Sequence, residues 1–485
     1  MSNSGPSADK SKRIAENLNR PAPRLRGWRR ILLTLGRVAS WSVLAPPRAG
    51  LRAWSRLNPV QQFVAGFGFY AVIGAILLCM PFAQQQHASM IDNAFNAVSA
   101  ISTTGLTTIS VSDSYTFFGE FVLLVLFQVG GVGFMTLASV LLLARGRSLP
   151  KAHVEVLKAG FSVPHYFVMQ HFIVQVVTFT IVCESAGALL LWWRFSGAGV
   201  EDPLWSAVFH AVSAFATAGF SLNNSSMEGF ASDWVVNLVI GTLSYLGAIG
   251  FIVVQDLWYS LKHREKMITF TSKVILVMTA GVFIVGTTLL FFCEPSVRGL
   301  PLNERLLASG FQVMTASSTA GFNTIPIGSM SSAGLVVVMI AMLIGASPSG
   351  TGGGIKTTSV SAIFGNLLSV LRRREKVIWL GREIPMVRIL YAFAASSIYL
   401  IGLCAGVLVL CLTEAQEFLP IVFESASAIG TVGLSMGITG ELSVPGKLAI
   451  IALMFAGRCG PITIGLALLR PEDQPSSSRG DDLAV

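Results

Sequence analysis

Charge is scarce in this chain. Of 485 residues only 12% are Asp, Glu, Lys or Arg, where a soluble domain carries about 25%. With 53% hydrophobic residues and a mean hydropathy of +0.66, a string of soluble domains is excluded, and the length suits one polytopic membrane unit surrounded by lipid. Cysteine is sparse too. Cys79, Cys183, Cys293, Cys404, Cys411 and Cys459 sit mostly in apolar runs and include no CxxC pair, so neither a zinc site nor a disulfide framework is indicated. His87, His153, His165, His171, His210 and His263 form no HxxxH or HExxH pair, and no nucleophile elbow or paired carboxylates point to an enzyme. The first 30 residues are basic and polar without an early apolar core, so no cleavable signal peptide is expected.

What the chain has instead is internal repetition. Ser102-Thr103-Thr104-Gly105-Leu106, Thr217-Ala218-Gly219-Phe220, Ser318-Thr319-Ala320-Gly321-Phe322 and Gly430-Thr431-Val432-Gly433-Leu434 each centre on one glycine followed by Leu or Phe. Each follows a similar stretch: Asn96–Ala100, His210–Ala214, Gln312–Ala316 and Glu424–Ala428. The glycines are 114, 102 and 112 residues apart, which makes four copies of one unit. Eight apolar stretches, at 59–82, 117–144, 167–193, 234–260, 270–292, 333–370 (interrupted), 388–412 and 446–469, bracket the four motifs. Each is long enough for the ~20 residues of a spanning helix. The segments at 91–102, 204–216, 305–317 and 418–429 are too short and polar to span, and read as re-entrant helices surrounded by protein. The expected fold is an all-α integral membrane protein of four pseudo-repeats, each running helix, short pore helix, Gly loop, helix around a central pore.

Basic residues set the orientation. Residues 1–56 hold twelve Lys or Arg, and the loops at 145–166, 260–273 and 371–388 hold four, four and six. The segments carrying the Gly motifs (83–115, 195–232, 294–332, 413–446) hold only Arg298 and Arg305. This asymmetry places both termini in the cytoplasm and the Gly loops toward the outside. It also accounts for the net charge of +9 without a nucleic-acid partner. Arg24, Arg26, Arg29, Arg30 and Arg37 interleave with Trp28, Ile31, Leu32, Leu33, Leu35 and Trp41, a pattern for a helix lying on an anionic leaflet. Residues 1–23 and the tail from about Pro471 read as disordered. On the outer side, Asp92, Asp113, Glu201, Asp202, Glu228, Glu414 and Glu417 could concentrate cations, although an ordinary solvated charge is the simpler reading for any one of them.

Glycine adopts positive φ at little cost, so Gly105, Gly219, Gly321 and Gly433 allow successive carbonyls to point inward. A ring of such carbonyls replaces the hydration shell of a potassium ion. The small residues before each glycine leave the axis uncrowded, and Leu106, Phe220, Phe322 and Leu434 can pack outward. The C-terminal ends of the short helices carry partial negative charge toward the centre.

Over roughly residues 57–470 the chain resembles the ion-conducting subunit of the Ktr/Trk/HKT superfamily of potassium transporters. Ser427–Gly437, Gly350-Thr351-Gly352-Gly353-Gly354-Ile355-Lys356-Thr357-Thr358 and Gly457-Arg458-Cys459-Gly460-Pro461-Ile462-Thr463 are similar to the Ktr branch. The resemblance implies a potassium filter of backbone carbonyls at Thr103, Thr104, Gly105, Thr217, Ala218, Gly219, Thr319, Ala320, Gly321, Thr431, Val432 and Gly433. None of the loops has the full TVGYG of tetrameric potassium channels, so imperfect selectivity over sodium is expected.

The sixth apolar stretch is broken by Gly345–Gly354, with five glycines and Pro348. No continuous helix survives such a run, and unwound backbone at membrane depth must be buried or line a cavity. The resemblance makes Ser347, Pro348, Ser349, Gly350, Thr351, Gly352, Gly353, Gly354 and Lys356 an intramembrane gate below the filter. A phosphate-binding loop is disfavoured, because Ile355 separates Gly354 from Lys356 and an apolar helix precedes the run. A simple kink needs fewer breakers. Arg458 lies in the last apolar stretch and should face the pore or a partner. The resemblance makes it a barrier beside the gate, and capping of loop carbonyls is a compatible role. Glu184 and Lys356 are expected to pair structurally.

The units expected are a basic cytoplasmic extension at 1–56, repeats at 57–146, 166–262, 269–371 (gating loop 346–354) and 384–470, and a tail at 471–485. The function expected is potassium uptake across the plasma membrane through one pore, with sodium as a candidate activator and no cofactor in the chain. A Trk-type proton- or sodium-coupled transporter is the alternative. An organic-solute transporter is disfavoured because its repeats are usually inverted. The resemblance further implies a homodimer and a cytoplasmic nucleotide-binding regulatory ring. Arg372-Arg373-Arg374-Glu375-Lys376 is a candidate contact for that ring, against the default of a solvated loop.

Overall fold

A computed structural model describes residues 57–133, 136, 169–262, 268–460, 463 and 465. The leaflet-binding segment expected at Arg24–Trp41, the ends expected to be disordered, nearly all of the second half of the 117–144 stretch, the whole 145–166 loop and nearly all of the 461–469 stretch lie outside the described residues.

The four outer helices are Pro59–Leu78, Met169–Ala198, Phe270–Cys293 and Met386–Thr413. Their apolar windows have mean hydropathies of 1.6 to 2.4, yet only 17% to 28% of each is buried. Side chains such as Val72, Leu189, Trp193, Ile284 and Ile401 stand exposed along them. A surface of that kind is stable in hydrocarbon and not in water. Asn58 starts the first outer helix with a reciprocal capping box, accepting from Gln61 N at 2.7 Å while its own N–H reaches Gln61 Oε1 at 3.1 Å.

The short helices are Met90–Ile101, Pro203–Phe215, Leu302–Ser318 and Phe418–Gly430. They are buried nearly completely over their last two turns. Each packs against the outer helix of its own unit and against inner helices. The inner helices begin at Phe117, Trp234, Ser332 and Val444, preceded by the N-caps Thr116, Asp233, Ser331 and Ser443, whose side chains accept from first-turn N–H groups.

The inner spans depart from the continuous helices expected for three of the four. The first ends at Val132 and the fourth at Cys459. The second is split into Trp234–Ala248 and Phe251–Lys262, bent by 95°. At each break stands a glycine with positive φ: Gly133 at 87°, Gly250 at 93° and Gly460 at 83°. A right-handed helix cannot pass through that conformation. The third inner span is broken as expected, into Ser332–Leu343 and Thr357–Leu371. By length and composition, four described helices can cross a membrane, or five if the bent pair counts as one. A two-stranded hairpin, Ile378–Trp379 with Arg382–Glu383, follows the third unit.

Two carboxylates tie outer helix ends to inner helix starts. Glu294, 1% exposed, accepts from Ser331 N at 3.2 Å, Ser331 Oγ at 2.8 Å and Ser296 N at 3.1 Å. Glu414 accepts from Ser443 N at 2.9 Å and Ser443 Oγ at 2.5 Å. Burial alone would raise both carboxyls, but the hydrogen bonds from these serines outweigh it and hold both below the ordinary value of 4.5. Folded values below the unfolded ones mean stability that is present above pH 4.5 and lost as the pH falls through the folded values. The prediction is that thermal stability of the protein in detergent falls as pH drops from 7 to 3. Glu294→Gln with Glu414→Gln should be less stable at pH 7 and lose less on acidification. An identical pH slope in the double variant would refute the assignment.

Candidate ion-conduction site

Each short helix ends in the same backbone gesture. Thr103, Thr217, Thr319 and Thr431 have φ of 54°, 51°, 58° and 48°, and the glycines two residues later have φ of 95°, 70°, 81° and 96°. Positive φ at a β-branched residue is strained, so the surrounding structure must impose it. Hydrogen bonds do so identically in all four units. The N–H groups of Thr104, Ala218, Ala320 and Val432 reach back to the carbonyls of Ser99, Ser213, Thr315 and Ser427 at 2.8 to 2.9 Å. Ser99 Oγ also accepts from Gly105 N at 3.1 Å, and Ser427 Oγ from Gly433 N at 3.0 Å.

The four loops close on one another. A Cβ on Gly105 would lie 2.5 Å from the Ala218 carbonyl oxygen, and one on Gly219 would lie 2.7 Å from the Ala320 oxygen. On Gly321 it would overlap the Val432 oxygen, and on Gly433 the Thr104 oxygen, which returns to the first unit. The carbonyl of the residue before each glycine therefore rests on the preceding unit's glycine, and the circuit is complete. Leu106, Phe220, Phe322 and Leu434 are at most 1% exposed and anchor the loops from behind. All four glycines open on one cavity of about 300 Å³, edged by polar residues including Ser221, Asn224, Asn323 and Ser435. The arrangement offers a cation oxygen ligands in place of water.

The broken segment of the third inner span lies against the inner face of this ring. Thr103 Oγ1 donates to the Thr351 carbonyl at 3.3 Å, Thr217 Oγ1 is 3.1 Å from Thr351 Oγ1, and Gly353 N donates to Thr319 Oγ1 at 3.2 Å. Gly353 also stands against the Thr431 hydroxyl. One segment thus touches all four strained threonines. Its own backbone is satisfied across units. Thr351 N and Ser347 N donate to the carbonyls of Gly247 and Ala248, each at 3.0 Å, where the second inner span breaks. Ser349 Oγ accepts from Ile252 N at 3.2 Å. Ser347 Oγ meets Thr357 Oγ1 at 2.9 Å, and Lys356 Nζ donates to the Gly352 carbonyl at 2.8 Å. Pro348, Gly350 and Gly354 complete the turn, Gly350 against the Ala248 carbonyl and Gly354 against Gly345.

Arg458 ties segment and ring together. Its guanidinium donates to Thr103 Oγ1 at 2.9 Å, to the Thr351 carbonyl, and to the carbonyls of Gly130 and Gly131, where the first inner helix ends. Helix-end carbonyls lack intrahelical partners and carry partial negative charge, so a cation is favoured there. Glu184 pairs with the first inner helix through Gln128 Nε2 at 3.0 Å.

The acids expected on the outer side are largely committed locally. Asp92 binds Lys447 at 2.7 Å, Asp113 accepts from Asn224 at 2.9 Å and Glu228 from Asn323 at 2.7 Å. Lys447 and Arg194 fall just outside the segments counted for orientation, and both hold ion pairs, Arg194 with Asp233 at 2.5 Å.

Residues 55–478 match the TrkH family of cation transport proteins. The chain belongs to that family. Ktr system potassium uptake protein B of Bacillus subtilis (strain 168) is 35% identical over 425 residues, covering 86% of this chain and 95% of that protein. The potassium/sodium uptake protein NtpJ of Enterococcus hirae is 33% identical, covering 86% and 94%. A crystal structure of the potassium transporter TrkH from Vibrio parahaemolyticus has a TM-score of 0.66 at 21% identity, covering 88% of this chain and 86% of that one. At that identity the likeness is one of fold. A TrkH-family chain is a cation transport protein and not an enzyme.

Sequence reasoning missed the left-handed threonines, although Thr stands two residues before the glycine in every unit. It also missed the inner-span breaks, signalled by Gly130-x-x-Gly133, Gly247-x-x-Gly250 and Gly457-x-x-Gly460. Losing Arg458 should leave helix-end and segment carbonyls unpaired. In a background without the native cysteines, Ser347→Cys should react with a small thiol reagent about tenfold faster when Arg458→Ala is added, the scale of a lost charge-assisted hydrogen bond. An unchanged rate would show that Arg458 does not hold the segment.

Proposed function

We propose that this chain is the ion-conducting subunit of a potassium uptake system of the Ktr type. The closed circuit of carbonyls on glycines carries the reading. It gathers main-chain oxygens from four units around one axis without a carboxylate, the ligand set for a monovalent cation rather than a divalent one. The 35% identity to a potassium uptake protein over most of both chains supports the substrate. Thr103–Gly105, Thr217–Gly219, Thr319–Gly321 and Thr431–Gly433 are the filter residues. Ser347–Gly354 is the gate, with Lys356 and Arg458 as its cationic supports, and the contacts of Thr351 with three of the units favour that role.

The repeats run from 57 to 146, 166 to 262, 269 to 371 and 384 to 470. The Gly loops face outward and both termini lie in the cytoplasm, on the strength of the Lys/Arg asymmetry. Each 100 mV of inside-negative potential draws a potassium ion inward with about 2.3 kcal/mol. Sodium acts as activator or second cargo, a reading favoured by an enterococcal relative named as a potassium/sodium uptake protein. The subunit works as a homodimer with a cytoplasmic nucleotide-binding ring, in line with a relative named as one protein of a Ktr system.

Expression in a host unable to take up potassium should restore growth at low potassium, more strongly with sodium present. No rescue by well-expressed protein, with or without a co-expressed Ktr regulatory subunit, would sink the reading. Within that system, Gly433→Ala should raise sodium uptake relative to rubidium uptake by about tenfold, because the new Cβ displaces the Thr104 carbonyl. An unaltered ratio would remove Gly433 from the filter.

A further inference from the structure

Nine residues before each loop glycine stands a polar side chain: Asn96, His210, Gln312 and Glu424. All four are 0% exposed. Each reaches the outer leg of its own loop, two to six residues after the glycine. Asn96 Oδ1 accepts from Thr108 N at 3.3 Å. His210 Nδ1 lies 2.7 Å from the Ser206 carbonyl, which can only accept, so the ring proton sits on Nδ1. Nε2 is then free to accept from Ser221 Oγ at 3.0 Å and Leu222 N at 3.4 Å. Gln312, with its amide oxygen toward the backbone, accepts from Thr324 N at 2.9 Å and Ile325 N at 3.2 Å. Glu424 accepts from Ser435 Oγ at 2.9 Å and from the Thr439 hydroxyl.

Four chemically different residues perform one task at one register. Three of them satisfy the N–H three residues after the glycine, and two take the hydroxyl of the serine two residues after it. Ordinary helix packing would put an apolar residue at such a position, because a buried polar group is costly unless paired. We infer that Asn96, His210, Gln312 and Glu424 are positioning residues that strut the outer leg of each loop against its short helix, and that they set discrimination between potassium and sodium. The inference rests on the filter reading above. Sodium is the smaller ion, and a carbonyl ring accepts it by closing inward. Each loop is held on its inner leg by the short-helix carbonyl six residues before the glycine. The strut holds the other leg, so the ring cannot follow the smaller ion.

The experiment uses the full chain in proteoliposomes, comparing sodium with rubidium flux for wild type, Gly433→Ala, Asn96→Leu, Gln312→Leu, Gln312→Glu and Ser435→Ala. Gln312→Leu removes the acceptor at similar volume, whereas Gln312→Glu keeps it, as Glu424 does in the fourth unit. Asn96→Leu and Gln312→Leu should raise the sodium-to-rubidium ratio about tenfold, the scale of one unpaired buried N–H. Gln312→Glu should stay within about twofold of wild type, since its carboxylate still accepts both N–H groups. Ser435→Ala, at a partly exposed hydroxyl, removes one of the two donors to Glu424 and should raise the ratio about threefold, about half the effect of a full loss on a logarithmic scale. It serves if the leucine variants do not fold. Ratios unchanged in folded Gln312→Leu, Asn96→Leu and Ser435→Ala, while Gly433→Ala shifts, would overturn the struts and leave the filter standing. No shift in Gly433→Ala either would remove the filter reading itself.

Discussion

A carbonyl oxygen from one unit resting against the glycine Cα of the unit before it, repeated until the circuit closes, is the contact on which this protein depends. It leaves no space for a Cβ at Gly105, Gly219, Gly321 or Gly433. It also fixes how near the four short helices come to the axis, and hence where the outer helices can sit. A dehydrated cation loses many kcal/mol of hydration, and only preplaced oxygens can return it. Strain at four threonines is the local cost, imposed by the N–H of the next residue reaching back to the short helix. Identical hydrogen bonds in four sequences that otherwise differ argue that the conformation belongs to the backbone and not to any one side chain.

Below the ring, hydrogen-bond accounting explains the architecture. Three inner spans end or bend at a glycine beside the axis, and each such end exposes carbonyls at membrane depth, where water cannot be relied on to satisfy them. Arg458 takes those of Gly130 and Gly131, and the unwound segment takes those of Gly247 and Ala248. The segment is therefore not an insertion into a finished pore. It is the partner that the broken helices require, and Arg458 is its counterpart from the fourth unit. A motion that withdraws it must find new partners for those groups, which gives any such transition two discrete states rather than a continuum.

Much of this was legible in the sequence, for reasons of composition and repetition. Four glycines at nearly equal spacing mark the ring. Length, 12 to 17 residues against 20 to 30, separates the short helices from the outer ones, whose ends fall within about five residues of the expected bounds. Pro348 and five glycines announce the unwound segment. What stayed hidden depends on contacts between units. Nothing local says that Thr103 must be left-handed, that Gly250 bends a span by 95°, or that Arg458 reaches across to Gly130. Asn96, His210, Gln312 and Glu424 were hidden differently. Their shared register was visible in the aligned motifs, but four unlike side chains suggest no common task until the hydrogen bonds are traced.

The single-chain organisation follows from the unwound segment. Four identical subunits around an axis would each carry the same unwound segment, and four such segments cannot occupy one axis. They would each also carry an arginine at the position of Arg458, bringing four guanidinium groups together in a low dielectric, which is strongly unfavourable. Fusing the units lets the ring stay nearly fourfold while the inner spans diverge. The residue after the first glycine of each Gly-x-x-Gly break is Gly131 in the first unit, Ala248 in the second and Arg458 in the fourth. The two small ones make room for what the third and fourth units place on the axis. The ring needs equivalence and the segment beneath it needs singularity, and one chain with four unequal repeats supplies both.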